Sequence, residues 1–167
     1  MTIIRLASCE DVPAILDIYN DAVLHTTASY DYQPKTLAER VAWFEQHQQQ
    51  QYPVFVAVAP EAGVVGWSSL SQFNAKPGYR FTAENSVYVA SAHRRQGLGK
   101  QLLAPLITAG RERGLRAILA LIDADNTPSV RLHAAFGFQE AARLKQVGFK
   151  FDRWLDVVIM ELLLATP

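Results

Sequence analysis

A single cysteine, Cys9, stands in a chain of 167 residues, so no internal disulfide can form, and His and Cys nowhere gather at zinc-ligand spacing. No metal is expected. Charge of one sign is also missing, because 16 Lys and Arg balance 16 Asp and Glu. That balance removes the broad basic surface that a nucleic acid or an anionic membrane would require, so neither is expected as a partner. No apolar run reaches the roughly 18 residues of a membrane span. Met1 to Leu6 lack the basic start and long apolar stretch of a signal peptide. A cytoplasmic location is expected. What the chain does have is apolar mass: 50% of its residues are hydrophobic and 19% charged, enough for one domain over residues 1–167 and too few for two.

Periodicity lays out the elements. Residues 2–7 alternate as a short strand, and Ser8-Cys9-Glu10-Asp11 has the form of a capping box. Val12, Ile15, Leu16, Tyr19, Ala22 and Val23 then mark one face of a helix. Thr36-Leu37-Ala38-Glu39 repeats the cap, and Leu37, Val41 and Phe44 predict the apolar face of a second helix ending in the glutamines at 48–51. Residues 53–59 and 64–70 predict a hairpin about Glu61-Ala62-Gly63, and 81–89 a third antiparallel strand. Leu98, Leu102, Leu103, Leu106 and Ile107 sketch a long helix ending near Gly110 or Gly114. The apolar run 117–122 predicts a strand buried on both faces. Thr127-Pro128 opens a short helix over 129–136, closed by Gly137, and 155–164 holds the last strand. The order β-α-α-β-β-β-α-β-α-β, with no repeat or linker, predicts an α/β domain built on a mixed sheet.

Chemistry concentrates at 86–101, where an apolar strand runs through His93-Arg94-Arg95-Gln96-Gly97-Leu98-Gly99-Lys100 into the long helix. Glycines let backbone approach a ligand closely, the first helical N–H groups lack internal partners, and the helix dipole adds positive potential. The loop is therefore an anion site suited to a pyrophosphate. A Walker A loop would need Ser or Thr after Gly99-Lys100 and a glycine at 94, and Gln101 and Arg94 stand there. A dinucleotide fingerprint would need glycine at 102, which is Leu, and the first βα turn of the fold. Both are excluded.

The pattern that remains is R-x-x-G-x-G, Arg94 to Gly99. Together with Asn126-Thr127-Pro128-Ser129-Val130-Arg131-Leu132-His133-Ala134-Ala135-Phe136-Gly137-Phe138 and the element order, it resembles the GNAT superfamily of acetyl-CoA-dependent N-acetyltransferases. Residues 18–23, 79–89 and 146–156 are similar to the phosphinothricin and methionine sulfoximine acetyltransferases, and the likeness runs from Ile4 to about Leu162. Two positions depart from that pattern: Asn85 stands where the family often has His, and Asp152 where it often has Gly.

The resemblance implies a GNAT acyl-CoA N-acyltransferase fold, with a mostly antiparallel central sheet flanked by helices, and acetyl-CoA as co-substrate without a metal. It implies that Arg94, Arg95, Gln96, Gly97, Leu98, Gly99 and Lys100 hold the pyrophosphate. The strand residues Val87, Tyr88 and Val89 would line the pantetheine, with the Val89 N–H on the thioester oxygen and the Tyr88 side chain turned to the opposite face. Asn126 and Ser129 would complete the cofactor site. Glu84 is the candidate general base, since an ammonium must lose a proton before it attacks; a solvated strand-end charge is the plainer alternative. His133 would either protonate the departing thiolate or bind the cofactor. Arg80 is the candidate for pairing an acceptor carboxylate, with Tyr30 and Tyr79 walling the acceptor pocket. A homodimer, with 150–156 reaching the neighbouring site, is also implied. The expected reaction moves acetyl to the α-amine of a small amino-acid-like acceptor such as methionine sulfoximine, methionine sulfone or phosphinothricin, by direct attack in a ternary complex. Another amine (a protein N-terminus or polyamine), or a CoA-binding module without turnover, are the alternatives.

Overall fold

The computed structural model describes residues 1–164. Seven strands form one sheet: β1 (Ile3–Leu6), β2 (Val54–Ala59), β3 (Gly63–Gln72), β4 (Thr82–Val89), β5 (Ala117–Asp123), β6 (Gln139–Lys150) and β7 (Arg153–Leu163). Their order is β1-β2-β3-β4-β5-β7-β6. Every pairing is antiparallel except β4 with β5, which is parallel and short: only Thr82 to Glu84 pair with Ala117 to Leu119. Beyond Glu84 the two central strands part. That gap positions everything functional.

Helices α1 (Val12–His25) and α2 (Leu37–Gln49) cover one face of the sheet, packing Val12, Ile15, Ile18 and Phe44 on Val54, Val56 and Trp67. Helix α3 (Leu98–Glu112) covers the other, with Leu103, Leu106 and Ile107 against Leu70, Ala83, Ile118, Val158 and Met160. Each such fully buried side chain contributes roughly 1.5–3 kcal/mol. Both predicted capping boxes form: Asp11 accepts from the Ser8 N–H at 2.8 Å, and Glu39 from the Thr36 N–H at 2.7 Å. The short helix α4 spans Thr127–Ala134, capped by the Asn126 side chain on the Ser129 N–H.

Three sequence expectations change. The buried stripe of α2 is Arg40, Phe44 and His47, while Leu37 and Val41 are 49% and 37% exposed. A guanidinium stacked on aromatic rings, described below, draws that face inward. Strand β6 is additional, its mostly exposed residues giving no apolar alternation to read. Finally, β5 is open on one side: Leu121 is 46% exposed, because α1 and α2 cover β2 to β4 and stop short of it.

Candidate active site

The cleft on the α3 side of the gap is built chiefly from backbone. The Ala90 N–H donates to Val65 O at 2.9 Å, so by strand alternation the N–H groups of Val89 and Val87 point the other way, into the space that β5 has left. Arg94 Nε donates to Val89 O at 3.2 Å, tying the cationic loop to the strand end. Arg95 and Gly97 lie in the left-handed region (φ 63° and 78°), which turns the chain sharply into α3. Gly97 offers no side-chain cap, and the Lys100 N–H turns back to Gly97 O at 3.1 Å, so the N–H groups of Leu98 and Gly99 are the ones left without a helical partner. Gly99 has a separate reason: a Cβ there would stand 3.0 Å from Leu132 Cδ2, where α3 meets α4. The resulting cavity holds about 920 Å³, bounded by Val87 to Val89, the loop from Arg94 to Lys100, and Asn126 and Ser129 at the start of α4. Phe151 and Arg153, from the β6–β7 hairpin, border it from the far side, with Arg153 ion-paired to Asp125 at 2.9 Å.

On the α1/α2 side the walls are side chains. Glu84, Ser86 and Tyr88 alternate onto this face, opposite Ser71, Ser69 and Trp67 of β3. Burial alone pushes the Glu84 carboxyl above its ordinary range. Tyr88 stacks on Trp67 with centroids 4.7 Å apart and donates to Ala28 O at 3.1 Å. A second cavity of about 340 Å³ lies over Ser69, Ser71 and Ser86, closed by Tyr19, Lys35, Arg40 and Trp43. The segment joining α1 to α2 is strapped to the hairpin. Lys150, buried, donates to Thr26 O and Ser29 O at 2.8 and 2.6 Å, and Tyr32 donates to Phe149 O. Gly148 accommodates the Tyr30 ring, which a Cβ would meet at 2.4 Å.

His133 is 3% exposed and borders neither cavity. Its Nδ1 lies 2.8 Å from Ser129 O and its Nε2 3.0 Å from Asn85 Oδ1; the Asn85 amide donates in turn to Leu119 O at 3.1 Å. Leu119 is the last β5 residue paired to β4, so this chain of bonds sits where the strands part. Burial pulls the His133 pKa down, and the bond to Ser129 O acts against it.

The family comparison now has geometry to meet. The profile of the acetyltransferase (GNAT) family matches residues 13–138. The chain belongs to the GNAT acetyltransferase family. An L-methionine sulfoximine/L-methionine sulfone acetyltransferase of Pseudomonas aeruginosa is 44% identical over 159 residues, 95% of this chain and 92% of that protein. Among solved structures, an N-acetyltransferase from Staphylococcus aureus Mu50 superposes with a TM-score of 0.96 at 44% identity, covering 99% of both chains. A phosphinothricin acetyltransferase from Sinorhizobium meliloti, in complex with AcCoA, gives 0.95 at 34% identity over 98% of this chain and 89% of that one. The expected fold is the GNAT fold, and the protein is an acetyltransferase.

Within this GNAT fold the nominated residues divide. Val87, Tyr88, Val89, Arg94, Arg95, Gly97, Leu98, Gly99, Lys100, Asn126 and Ser129 border the larger cavity; Gln96 belongs to the same exposed loop without lining it. Glu84 lies across the sheet edge from them, on the other face. Tyr88 lines both cavities, with its side chain on the face opposite Val87 and Val89, stacked on Trp67. Four nominations need correction, and Glu84 itself lines neither cavity. Tyr30 packs its ring on Gly148, outside both cavities. His133 is buried with both ring nitrogens facing acceptors, which leaves no route for a proton to either cavity. Arg80 lies outside both cavities, stacked 4.4 Å over Phe81 and bonded to Pro77 O, and Tyr79 packs edge-on against Phe73 at 5.6 Å. Arg40 was missed. The signal was an arginine four residues before Phe44 and seven before His47, on a helical stripe the sequence reading had assigned to Leu37 and Val41.

Proposed function

We propose that this protein transfers acetyl from acetyl-CoA to the α-amine of a small amino-acid-like acceptor, in the class of methionine sulfone, methionine sulfoximine and phosphinothricin. The reading rests on one observation above the others: β4 leaves β5 immediately after Glu84, opening a strand edge that runs into an uncapped helix N-terminus. A helix N-terminus and a cationic loop turned sharply at the left-handed Gly97 suit an extended pantetheine ending in a pyrophosphate. Bound acetyl-CoA supplies an activated acetyl thioester.

The chain's own groups supply the rest. The Val87 and Val89 N–H groups, unpaired on the β5 side, are available to a carbonyl oxygen and to developing negative charge on it. Glu84 faces the opposite side of the gap, from which an amine approaches, and its burial raises its proton affinity toward that of a useful base at neutral pH. With acetyl-CoA bound, one ammonium proton would pass to Glu84, the amine nitrogen would bond the acetyl carbon as the C–S bond breaks with its electron pair on sulfur, and the second proton lost by the nitrogen would end on that thiolate, giving the amide and the free thiol. Cys9 is exposed at the start of α1, on a turn remote in sequence from the loop, so direct attack is the simpler course.

We further read the chain as one cytoplasmic domain that pairs with a second copy. Val147, Phe149 and Trp154 are 57%, 41% and 64% exposed along the β6–β7 hairpin, an apolar strip suited to burial against a partner. Sedimentation should give twice the 18.6 kDa chain mass; a monomer at micromolar concentration overturns the pairing. The activity is tested by thiol release from acetyl-CoA across a panel of amino acids and amines. Turnover is expected to be fastest with the sulfone, sulfoximine and phosphinate acceptors. Tight acetyl-CoA binding without turnover on any of them overturns the reading.

A further inference from the structure

The smaller cavity contains a buried cation with no direct ion pair among the described residues. Arg40 is 4% exposed, and its guanidinium lies 4.1 Å from the Tyr19 ring centroid, 4.6 Å from Trp43 and 5.7 Å from Trp67. Its Nε has no hydrogen-bond partner, and no carboxylate pairs with it among the described residues. Glu39, which lines the same cavity, is committed to its helix cap through Thr36, and Asp31, which acts on Arg40 from a distance, is bonded to Tyr19 and Lys35. Aromatic faces hold such a group in place and Tyr19 hydrogen-bonds it, yet its Nε–H is left without an acceptor. A desolvated donor without an acceptor is costly, and native sites of that kind are commonly completed by a ligand.

The cavity runs along the β3/β4 register from the Trp67–Tyr88 pair, near Arg40, to Ser71, whose register partner Glu84 stands beside this end without lining it. Four residues of strand span about 13 Å, which the side chains shorten from both ends. Between them lie Ser69 and Ser86, with Lys35, ion-paired to Asp31 at 3.2 Å, at the rim. An acceptor whose amine meets Glu84 therefore extends its side chain along a hydroxyl-lined floor and aromatic wall toward Arg40. We infer that Arg40 receives the oxygen atoms of a sulfonyl, sulfoximine or phosphinate head at the end of the acceptor side chain, and so selects oxidised over unoxidised side chains.

The inference deepens the acetyltransferase reading above and rests on it, so the experiment has two arms. In the first, kcat/KM is measured for methionine sulfone and for methionine with wild type and Arg40→Lys. The expected result is a fall of about tenfold to a hundredfold for the sulfone, carried by KM, with methionine nearly unchanged. Equal losses for both acceptors, or no loss for either, overturn the inference; equal loss would assign Arg40 to the α-carboxylate or to folding alone. The second arm needs no variant and no turnover. A crystal structure of the wild-type protein with CoA and methionine sulfone should place a sulfonyl oxygen within hydrogen-bond distance of Arg40. A sulfone bound elsewhere, or not bound, overturns the inference even when acetyl transfer is observed, whereas a sulfone seated on Arg40 without turnover supports it and counts against the reaction.

Discussion

The two sides of the β4–β5 gap are made differently. On the α3 side, the strand edge and helix N-terminus that present main-chain N–H groups come from one continuous stretch, Val87 through Lys100, with most side chains of the loop exposed, while the end of α1, the start of α4 and the β6–β7 hairpin complete the wall. On the α1/α2 side, the ligand-facing groups are side chains from four separated segments, Tyr19, Lys35 to Trp43, Trp67 to Ser71 and Ser86 to Tyr88, buried to different degrees, with Glu84 beside them at the end of the Ser71–Glu84 register. A site made of backbone reads the common part of a substrate and tolerates side-chain change. A site made of side chains reads what differs between substrates. The donor half of the reaction is thus tied to chain geometry, and the acceptor half to residue identity.

Glu84→Gln gives the largest separation of the two sides. It keeps the shape and removes the base, so kcat at pH 7 should fall by about 10²- to 10⁴-fold while the acetyl-CoA Kd stays within twofold. Because burial raises the Glu84 pKa in the folded protein, the base is protonated and idle at acidic pH and becomes active as pH rises through that raised value. Wild-type kcat should therefore climb over a range above the ordinary carboxylate pKa, a limb absent from the Gln variant. Stopped-flow binding and a pH profile check both halves, and a matching weakening of acetyl-CoA binding would break the division.

Gly97→Ala tests the opposite side with a smaller effect. An added Cβ would have nothing within 4 Å, so any consequence comes from the backbone at φ 78°. Holding alanine there costs about 1–2 kcal/mol, which lowers Tm by roughly 2–6 °C. Relaxing the turn should also weaken acetyl-CoA several-fold by calorimetry, with acceptor KM unchanged. An acceptor effect as large as the donor effect would erase the distinction.

The same contrast explains what could be read from the sequence. A glycine and a cation run after an apolar strand report backbone chemistry directly, so the loop from Arg94 to Lys100 and the cap at Asn126 were legible. Side chains converging from distant segments carry no local signature. A buried arginine looks like a surface one, which hid Arg40 and rotated the predicted face of α2 toward Leu37 and Val41. Arg80 stood at the start of the strand that carries Glu84, yet stacks on Phe81 outside both cavities. His133 sat in a family-like segment, but burial and its bonds to Ser129 O and Asn85 make it part of the wall that fixes the strand gap. Strand β6 was silent because its exposed residues follow no core.

The β6–β7 hairpin is where the two sides meet, and it offers the finest test. Its body, through Gly148 and Lys150, braces the segment leading from α1 to α2, while its tip, Phe151, borders the donor cleft. The turn has two central residues, and both are left-handed without being glycine: Phe151 at φ 52° and Asp152 at φ 56°. Two-residue hairpin turns of this hand favour Asn-Gly or Asp-Gly, so a glycine belongs at 152 on conformational grounds. Asp152→Gly should stabilise the fold by about 0.5 kcal/mol, since aspartate tolerates this region better than most residues and glycine adds entropy to the unfolded chain. Thermal melts would show a rise of one or two degrees. If the tip serves the donor cleft through Phe151 alone, acetyl-CoA Kd and acceptor KM both stay unchanged. If the strain at 152 sets the position of Phe151, the donor Kd rises while the acceptor KM holds, because Gly148 and Lys150 still fix the acceptor wall.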